Sequence, residues 1–117
     1  MKLTEQHCVP CEGGMSPLTR EEAEVRMSEV PGWELAADAG SISRGYVHTD
    51  FVSALAFVNA VGNLAEREGH HPDIHLTGYK RVTLVLATHA IGGLSQNDFI
   101  LAAKIDVREE GYYTEFN

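Results

Sequence analysis

The stretch from residue 80 to residue 88 constrains the fold more than any other part of the chain. It reads Lys-Arg-Val-Thr-Leu-Val-Leu-Ala-Thr, in which apolar side chains fall on both alternating faces of a strand. A strand that is apolar on both faces belongs in a sheet covered on both sides, by helices or by a second subunit. The sequence therefore predicts helices packed against a sheet, with this strand inside it.

A long helix precedes this strand and supplies much of the apolar surface. Thr49 or Asp50 can cap its N-terminus, and apolar side chains then recur at steps of three and four as far as Ala65. Gly69 is a natural residue to end it. Gly62 costs about 1 kcal/mol relative to alanine, which suggests close packing against another helix.

Two further helices carry capping signals. Thr19 begins a helix with a capping box, and this helix runs to about residue 29. Ser95 caps the last helix, which extends to about residue 109. Asp98 stands at its third position as the capping-box carboxylate, and Leu94 and Phe99 are placed for a hydrophobic staple.

Four strands lie between these helices, and the resulting order predicts the fold class. The strands are expected at residues 33–37, 41–48, 74–77 and 80–88. The order α-β-β-α-β-β-α predicts a single α+β domain, with a four-stranded antiparallel sheet covered by helices on one face. Residues 1–17, rich in Gly, Pro and polar residues, are predicted to be a flexible arm, and residues 18–117 the domain.

Composition excludes several classes of partner. The apolar fraction of 44% is that of an ordinary globular protein, and the formal net charge is -8. An acidic chain lacks the basic surface that nucleic acid and anionic membranes require, so neither is an expected partner. There is no signal-peptide pattern and no apolar run of membrane-spanning length, so a cytoplasmic location is expected.

The two cysteines form the motif His7-Cys8-Val-Pro-Cys11 near the N-terminus. A structural zinc site needs four ligands and this segment offers three at most. A redox dithiol should open a helix after a strand, whereas a loop sequence follows here. We expect neither a metal nor a redox role, unless a ligand comes from elsewhere or from a second chain.

The histidines carry the strongest functional signal. His70 and His71 follow the end of the long helix, Pro72 stiffens the chain after them, and His89 follows the strong strand. Glu66 lies one helical turn before His70, within reach of an imidazole N–H. Three imidazoles and an acid are therefore expected to converge at one end of the sheet.

The spacing alone leaves three interpretations of these histidines open. They can stabilise a helix C-terminus and fill a turn, as single histidines often do. They can bind a metal, although adjacent side chains such as His70 and His71 usually point apart. They can also serve as general acids and bases, since the pKa of imidazole is close to neutral pH.

The pattern around the histidines resembles the signature of the pterin-4a-carbinolamine dehydratases. The positions of that signature are met by Glu66, His70, His71, Pro72, Tyr79, His89 and Asp98. The surrounding segments F-V-N-A-V-G, A-T-H-A-I-G-G-L and N-D-F-I-L-A-A also look like bacterial members, and so does the H-C-x-x-C arm. The resemblance covers nearly the whole chain.

This resemblance implies dehydration of 4a-hydroxytetrahydropterin to quinonoid dihydropterin, without a metal or redox cofactor. It implies that His71 and His89 are the principal acid–base pair and that His70 lies near the leaving hydroxyl. Glu66 is expected to orient His70 or to contact the pterin. Thr88 and Pro72 are expected to line the pocket.

The remaining signature positions have structural interpretations. Asp98 is at least as well explained as a helix cap as by a role in the site, and Tyr79 is interpreted as a packing residue. His7, His48 and His75 lie outside the signature. Ala87 replaces the serine of animal relatives, and no aromatic follows Pro72 as in some relatives. Both departures are expected to affect preference for the pterin side chain.

The resemblance also implies partners. Members form homodimers or homotetramers, and the substrate is the product of an aromatic amino acid hydroxylase, which gives a functional link to such an enzyme. Relatives of this fold act as transcriptional cofactors or assembly factors. A non-catalytic protein-binding module is therefore the alternative, against which the retained histidines and Glu66 argue.

Overall fold

The fold is the predicted α+β domain. The computed structural model describes residues 2–10 and 15–116, with side-chain environments through residue 107. The elements follow one another as α1 (Arg20–Met27), β1 (Glu34–Leu35), β2 (Ile42–Val47), α2 (Phe51–Glu68), β3 (Asp73–Thr77), β4 (Arg81–Leu86) and α3 (Gln96–Phe116). Short 3-10 turns lie at Leu3–Glu5 and His89–Ile91. The predicted element order is therefore confirmed, although β1 is shorter and α3 longer than expected.

The sheet has the strand order β1-β2-β4-β3, and every pair is antiparallel. The strong strand β4 lies between β2 and β3, as its apolar sequence predicts. Tyr46 of β2 pairs with Val82, and Leu76 of β3 pairs with the same residue. β3 is an edge strand, so the two histidines that precede it enter the sheet at its border.

One face of β4 forms the core and the other does not. Val82, Leu84 and Leu86 are fully buried, whereas Thr83 and Val85 on the opposite face are only partly covered. The expectation that both faces are covered is thus not met by the described residues of this chain. The helices α2 and α3 pack on the face that carries Val82, Leu84 and Leu86, where they form one apolar core with the sheet.

The caps that the sequence predicts for α1 and α2 are present. Thr19 Oγ1 accepts the amide of Glu22, and the Glu22 carboxylate accepts the amide of Thr19, which completes the capping box. Asp50 rather than Thr49 caps α2, since its carboxylate accepts the amide of Ser53 at 2.8 Å. These bonds fix where α1 and α2 begin.

Helix α2 is buried on one side only. Phe57, Val61 and Leu64 lie in the core, whereas Phe51 and Leu55 are exposed large apolar side chains. A Cβ added at Gly62 would meet nothing within 4 Å. The expected close packing at this glycine is therefore wrong. The apolar stripe is wider than the surface that the sheet and α3 cover.

No helix in the described part of the chain is both long enough and apolar enough to cross a membrane.

Candidate active site

The end of α2 sets the direction of the histidine segment. Gly69 adopts the left-handed conformation, with φ of 68°. Its amide donates to the carbonyl of Glu66, and the His70 amide donates to the carbonyl of Ala65. These two bonds form a Schellman motif, which satisfies the last carbonyls of the helix and turns the chain away from its axis. His70 and His71 therefore leave the helix on a defined path.

His70 is held by a buried carboxylate. Its Nε2 lies 2.6 Å from Asp98 Oδ1, and the two side chains are 11% and 0% exposed. The other oxygen, Asp98 Oδ2, accepts the Thr88 hydroxyl at 2.8 Å and the Ser95 amide at 2.9 Å. Asp98 thus accepts the Ser95 amide at the start of α3, as predicted for a capping-box carboxylate, and it also binds His70.

This network fixes the orientation and the proton arrangement of the His70 ring. A carboxylate accepts, so the imidazole Nε2–H donates to Asp98 and Nδ1 remains for proton exchange. A base oriented by a carboxylate that is itself held by further donors is the arrangement of many acid–base sites. The Thr88 hydroxyl also lies 2.7 Å from the Ser95 hydroxyl, which ties the end of β4 to the start of α3.

His71, and not His70, is the partner of Glu66. His71 Nε2 lies 2.7 Å from Glu66 Oε1, and these side chains are 63% and 79% exposed. The expectation that Glu66 orients His70 is therefore wrong. The expectation assumed that the helix continues from Glu66 to His70. The helix instead ends at Glu68, and the left-handed Gly69 turns the chain before His70. His70 turns inward to Asp98, and His71 lies back over the last turn of α2.

His89 lies on the turn that follows β4. The Thr88 amide donates to the Gly93 carbonyl at 2.8 Å, and the Gly93 amide donates back at 3.4 Å. These bonds close a short loop that includes the 3-10 turn His89–Ile91. His89 is exposed on this loop. It shares a cleft with Gly40 and Ser41, which directly precede β2.

The three histidines line one cleft of about 250 Å³, which we call the histidine cleft. Its described lining comprises Val9, Pro10, Gly69, His70, His71, Ala87, Thr88, His89, Ala90 and Asn97. His89 and Ala87 also border a second cleft of about 300 Å³, whose other walls include Asp38 and Ser41. The histidine cleft brings together side chains from the end of α2, the end of β4 and the start of α3.

Several expected residues lie elsewhere. Pro72 is not among the described residues that line the histidine cleft. Tyr79 is not a packing residue, because it is 59% exposed at a turn with φ of 57°. His75 is exposed on β3, and His48 is buried beside the ring of Phe57. Burial lowers the pKa of His48.

The cysteine motif is only partly described. Cys11 lies outside the described residues, and the Cys8 thiol lies 3.6 Å from the Asn97 carbonyl. Burial, followed by the charge of Glu68, raises the pKa of Cys8 to about 12. The thiol is thus protonated at neutral pH and a weak nucleophile. Among the side chains described in residues 2–10 and 15–107, no three of His, Cys, Asp or Glu form a group that can hold a metal ion.

Residues of the N-terminal segment also reach the site, which the sequence did not predict. Val9 and Pro10 form part of the cleft wall, and Asn97 of α3 lies beside them. Residues 2–10 were expected to belong to a flexible arm, but they make specific contacts with α2 and α3. No local sequence signal marks these contacts, because the partners are separated by 60 residues or more.

Most of the chain matches one family of known proteins. Residues 16–108 match the model of the family described as pterin 4 alpha carbinolamine dehydratase. The chain belongs to this family. A relative from Halorhodospira halophila, named provisionally as such a dehydratase, is 50% identical over 106 residues, which are 91% of this chain and 96% of the relative. A relative from Cupriavidus pinatubonensis with the same provisional name is 50% identical over 103 residues, 88% of each chain.

Solved structures show the same fold. A crystal structure from Brucella melitensis, titled transcriptional coactivator/pterin dehydratase, superposes with a TM-score of 0.73 at 29% identity. The match covers 79% of this chain and 97% of that chain. A pterin dehydratase-like protein identified as a RuBisCO assembly factor in the alpha-carboxysome has a TM-score of 0.55 at 21% identity, over 65% of this chain and 87% of that chain. The second likeness concerns the fold alone.

Proposed function

We propose that this protein is a hydro-lyase that dehydrates 4a-hydroxytetrahydropterin to quinonoid dihydropterin. The observation that carries the proposal is the presence of His70, His71 and His89 around one cleft, in a chain of the dehydratase family. A pterin is a flat bicyclic heterocycle, and a cleft of about 250 Å³ with both polar and apolar walls is of a suitable scale for its reacting part.

The reaction requires two proton transfers. The substrate carries a hydroxyl on C4a, and the adjacent ring nitrogen N5 carries a hydrogen. An acid delivers a proton to the hydroxyl, which leaves as water with the electrons of the C–O bond. A base removes the N5 proton, and the electrons of the N–H bond form the C4a=N5 double bond. Proton donation and removal by positioned imidazoles accelerate such steps by ~10²–10⁴-fold each.

The histidines of this chain fit these roles in different ways. His71 and His89 are exposed at the cleft and able to exchange protons with substrate and solvent, so we assign them as the acid–base pair. His70 is fixed by Asp98, and we assign it to the leaving hydroxyl. Asp98 is then a positioning residue, since it acts through the His70 ring. Glu66 orients His71 from the solvent side.

A direct assay tests this proposal. Chemically generated 4a-hydroxytetrahydropterin is followed in the ultraviolet with the wild type, His71→Ala and His89→Ala. We expect each variant to lose ~10²-fold or more in rate, because an acid or a base of the reaction is missing. His75→Ala is the matched control, since His75 is exposed on β3 and does not belong to the described lining. Equal rates for all four proteins would overturn the proposal.

The second candidate function is a protein-binding module. It is favoured by the Brucella melitensis structure, whose title names a coactivator as well as a dehydratase. The two candidates differ in their dependence on the histidines. A binding module without catalysis predicts that the wild type leaves the rate of carbinolamine decay unchanged, whereas the dehydratase accelerates it.

Self-association is a further part of the proposal. The family resemblance implies a dimer or tetramer, and Phe51, Val52 and Leu55 expose apolar surface at the start of α2. Sedimentation equilibrium measures the oligomeric state directly. A monomer at micromolar concentration would contradict this part without affecting the catalytic assignment.

A further inference from the structure

The N-terminal residues 2–10 are fastened to the domain next to the histidine cleft. Leu3 is buried in the core, and the Cys8 amide donates to Glu68 Oε1 at 2.9 Å. Asn97 binds the backbone of Val9 on both sides. Its Oδ1 accepts the Val9 amide at 3.0 Å, and its Nδ2 donates to the Val9 carbonyl at 2.6 Å. The Asn97 amide thus binds Val9 as a neighbouring β-strand would, with one accepted and one donated hydrogen bond. The two bonds together fix the position and the orientation of the Val9 backbone.

Glu68 anchors the same segment to the end of α2. Its carboxylate also binds Lys104 of α3 at 2.8 Å, and the two side chains are 8% and 12% exposed. Glu68 is the last residue of α2 and precedes Gly69 and His70 directly. The N-terminal segment is thus attached to the helix end that directs the histidines, and to the α3 turn that holds Asp98.

The N-terminal segment contributes apolar residues to the cleft that the three histidines line. Val9 and Pro10 belong to the cleft wall, and Val9 is 63% exposed. The Val9 side chain therefore adds little to the hydrophobic core, although its backbone is held by two hydrogen bonds to the buried Asn97. Apolar groups held in place beside the histidines suit the flat face of a bicyclic ring, whose apolar area is removed from water on binding.

We propose that Val9 and Pro10 are substrate-binding residues that contact the flat face of the pterin, and that Asn97 is the residue that positions them. This inference rests on the proposed function and extends it to a segment outside the family match, which begins at residue 16. The wall formed by Val9 and Pro10 contributes to substrate affinity. Proton transfer remains with the histidines.

The test separates KM from kcat in two variants. Val9→Ala keeps the backbone contact and removes apolar area, and we expect KM to rise roughly 3- to 10-fold with kcat nearly unchanged. Asn97→Ala releases the segment, and we expect a larger rise in KM together with faster hydrogen exchange of the Val9 amide. Calorimetric titration with a stable dihydropterin should show the same losses in affinity.

Matched controls make the same substitutions at positions away from the histidine cleft. Val25→Ala changes an exposed valine on α1, and Asn63→Ala changes an exposed asparagine on α2. Neither should alter KM. An unchanged KM and Kd in Val9→Ala would overturn the inference, while an active wild type would leave the dehydratase proposal intact. Val9 is exposed, so this variant should fold even if Asn97→Ala does not. A wild type that neither turns over nor binds pterin would overturn both.

Discussion

His70 and His71 are neighbours in sequence, and each has a carboxylate within 2.7 Å, but the two pairs differ in almost every other respect. The pair of His70 and Asp98 is almost fully buried, whereas the pair of His71 and Glu66 is mostly in solvent. In the buried pair, the carboxylate has two further donors that fix it. In the exposed pair, water competes for both partners. Nearly equal distances therefore occur in one enclosed pair and in one pair that is open to solvent.

This difference in exposure is consistent with different roles for the two histidines in the proposed reaction. A rigid imidazole defines where one substrate atom must lie, since a displaced group costs rate steeply. An exposed imidazole can exchange its proton with water between turnovers. The comparison teaches that the environment of a histidine–carboxylate pair, more than its distance, determines what the pair contributes.

The largest effect is expected from Asp98→Asn. The amide keeps the shape but places N–H donors where an acceptor is needed, so part of the buried network is lost. We expect a loss of about 2–4 kcal/mol in the free energy of unfolding. We also expect kcat to fall by ~10²-fold or more, because the His70 ring can no longer donate from Nε2 to the same acceptor. Urea denaturation and the ultraviolet assay measure the two effects.

Asp106→Asn is the matched control for this change. Asp106 also accepts three donors, from Trp33, Arg44 and Tyr46, and is not part of the described cleft lining. This variant should lose stability while the folded protein keeps its kcat. A similar fall in kcat in both variants would show that Asp98 acts only through stability.

The next largest effect concerns the pH dependence of stability, through Glu68 in the last turn of α2. Burial alone would raise the pKa of Glu68, but hydrogen bonds from Lys104, the Cys8 amide and His7 outweigh it and lower the pKa to about 2. A lowered pKa in the folded state stabilises the protein above the unfolded value, near pH 4.5. This contribution is lost as the pH falls from about 4.5 towards 2.

Glu68→Gln should therefore flatten this part of the pH–stability curve. The wild type should lose a few kcal/mol more than the variant on acidification over that range, as measured by urea denaturation at several pH values. Glu66→Gln is the control, because its carboxylate is exposed. A curve for Glu68→Gln that parallels the wild type would contradict the assignment.

A smaller effect is expected from Gly69→Ala. A residue with a Cβ in the left-handed conformation costs about 1–2 kcal/mol, so the variant should be less stable by that amount. Gly62→Ala makes the same chemical change inside α2, where space is open, and should stabilise by about 1 kcal/mol. Denaturation midpoints measure both changes in stability. Changes of opposite sign would show that the backbone conformation at Gly69, and not the added methyl group itself, causes the loss.

The smallest effect is expected from Glu66→Gln. An exposed ion pair contributes about 0–1 kcal/mol, so stability should change by less than that. The rate should fall by less than about tenfold, since His71 keeps a neutral hydrogen-bond partner. A loss as large as that of Asp98→Asn would remove the distinction between the two pairs.

The elements of the fold were predictable from local patterns. The capping box at Thr19, the glycine end of α2 and the alternation of β4 are all short-range features, and such features predict the element order. The site was predictable only in part. The pairing of His70 with Asp98 spans 28 residues and depends on how α2 and α3 pack, which periodicity does not specify.

The errors have the same origin. The pairing of Glu66 with His70 was inferred from helical spacing, but the helix ends at Gly69 between them. The contacts of the N-terminal segment join residues almost as far apart as the chain allows, such as Val9 and Asn97. Such contacts become visible only when the whole chain is folded.

The loop that carries His89 is closed at its base by the paired backbone contacts of Thr88 and Gly93, and Thr88 is bound in turn to Asp98. These bonds tie both ends of the His89 loop to the sheet and to α3. Thermal inactivation should accordingly coincide with global melting, without an earlier stage in which a folded protein has lost its catalytic geometry.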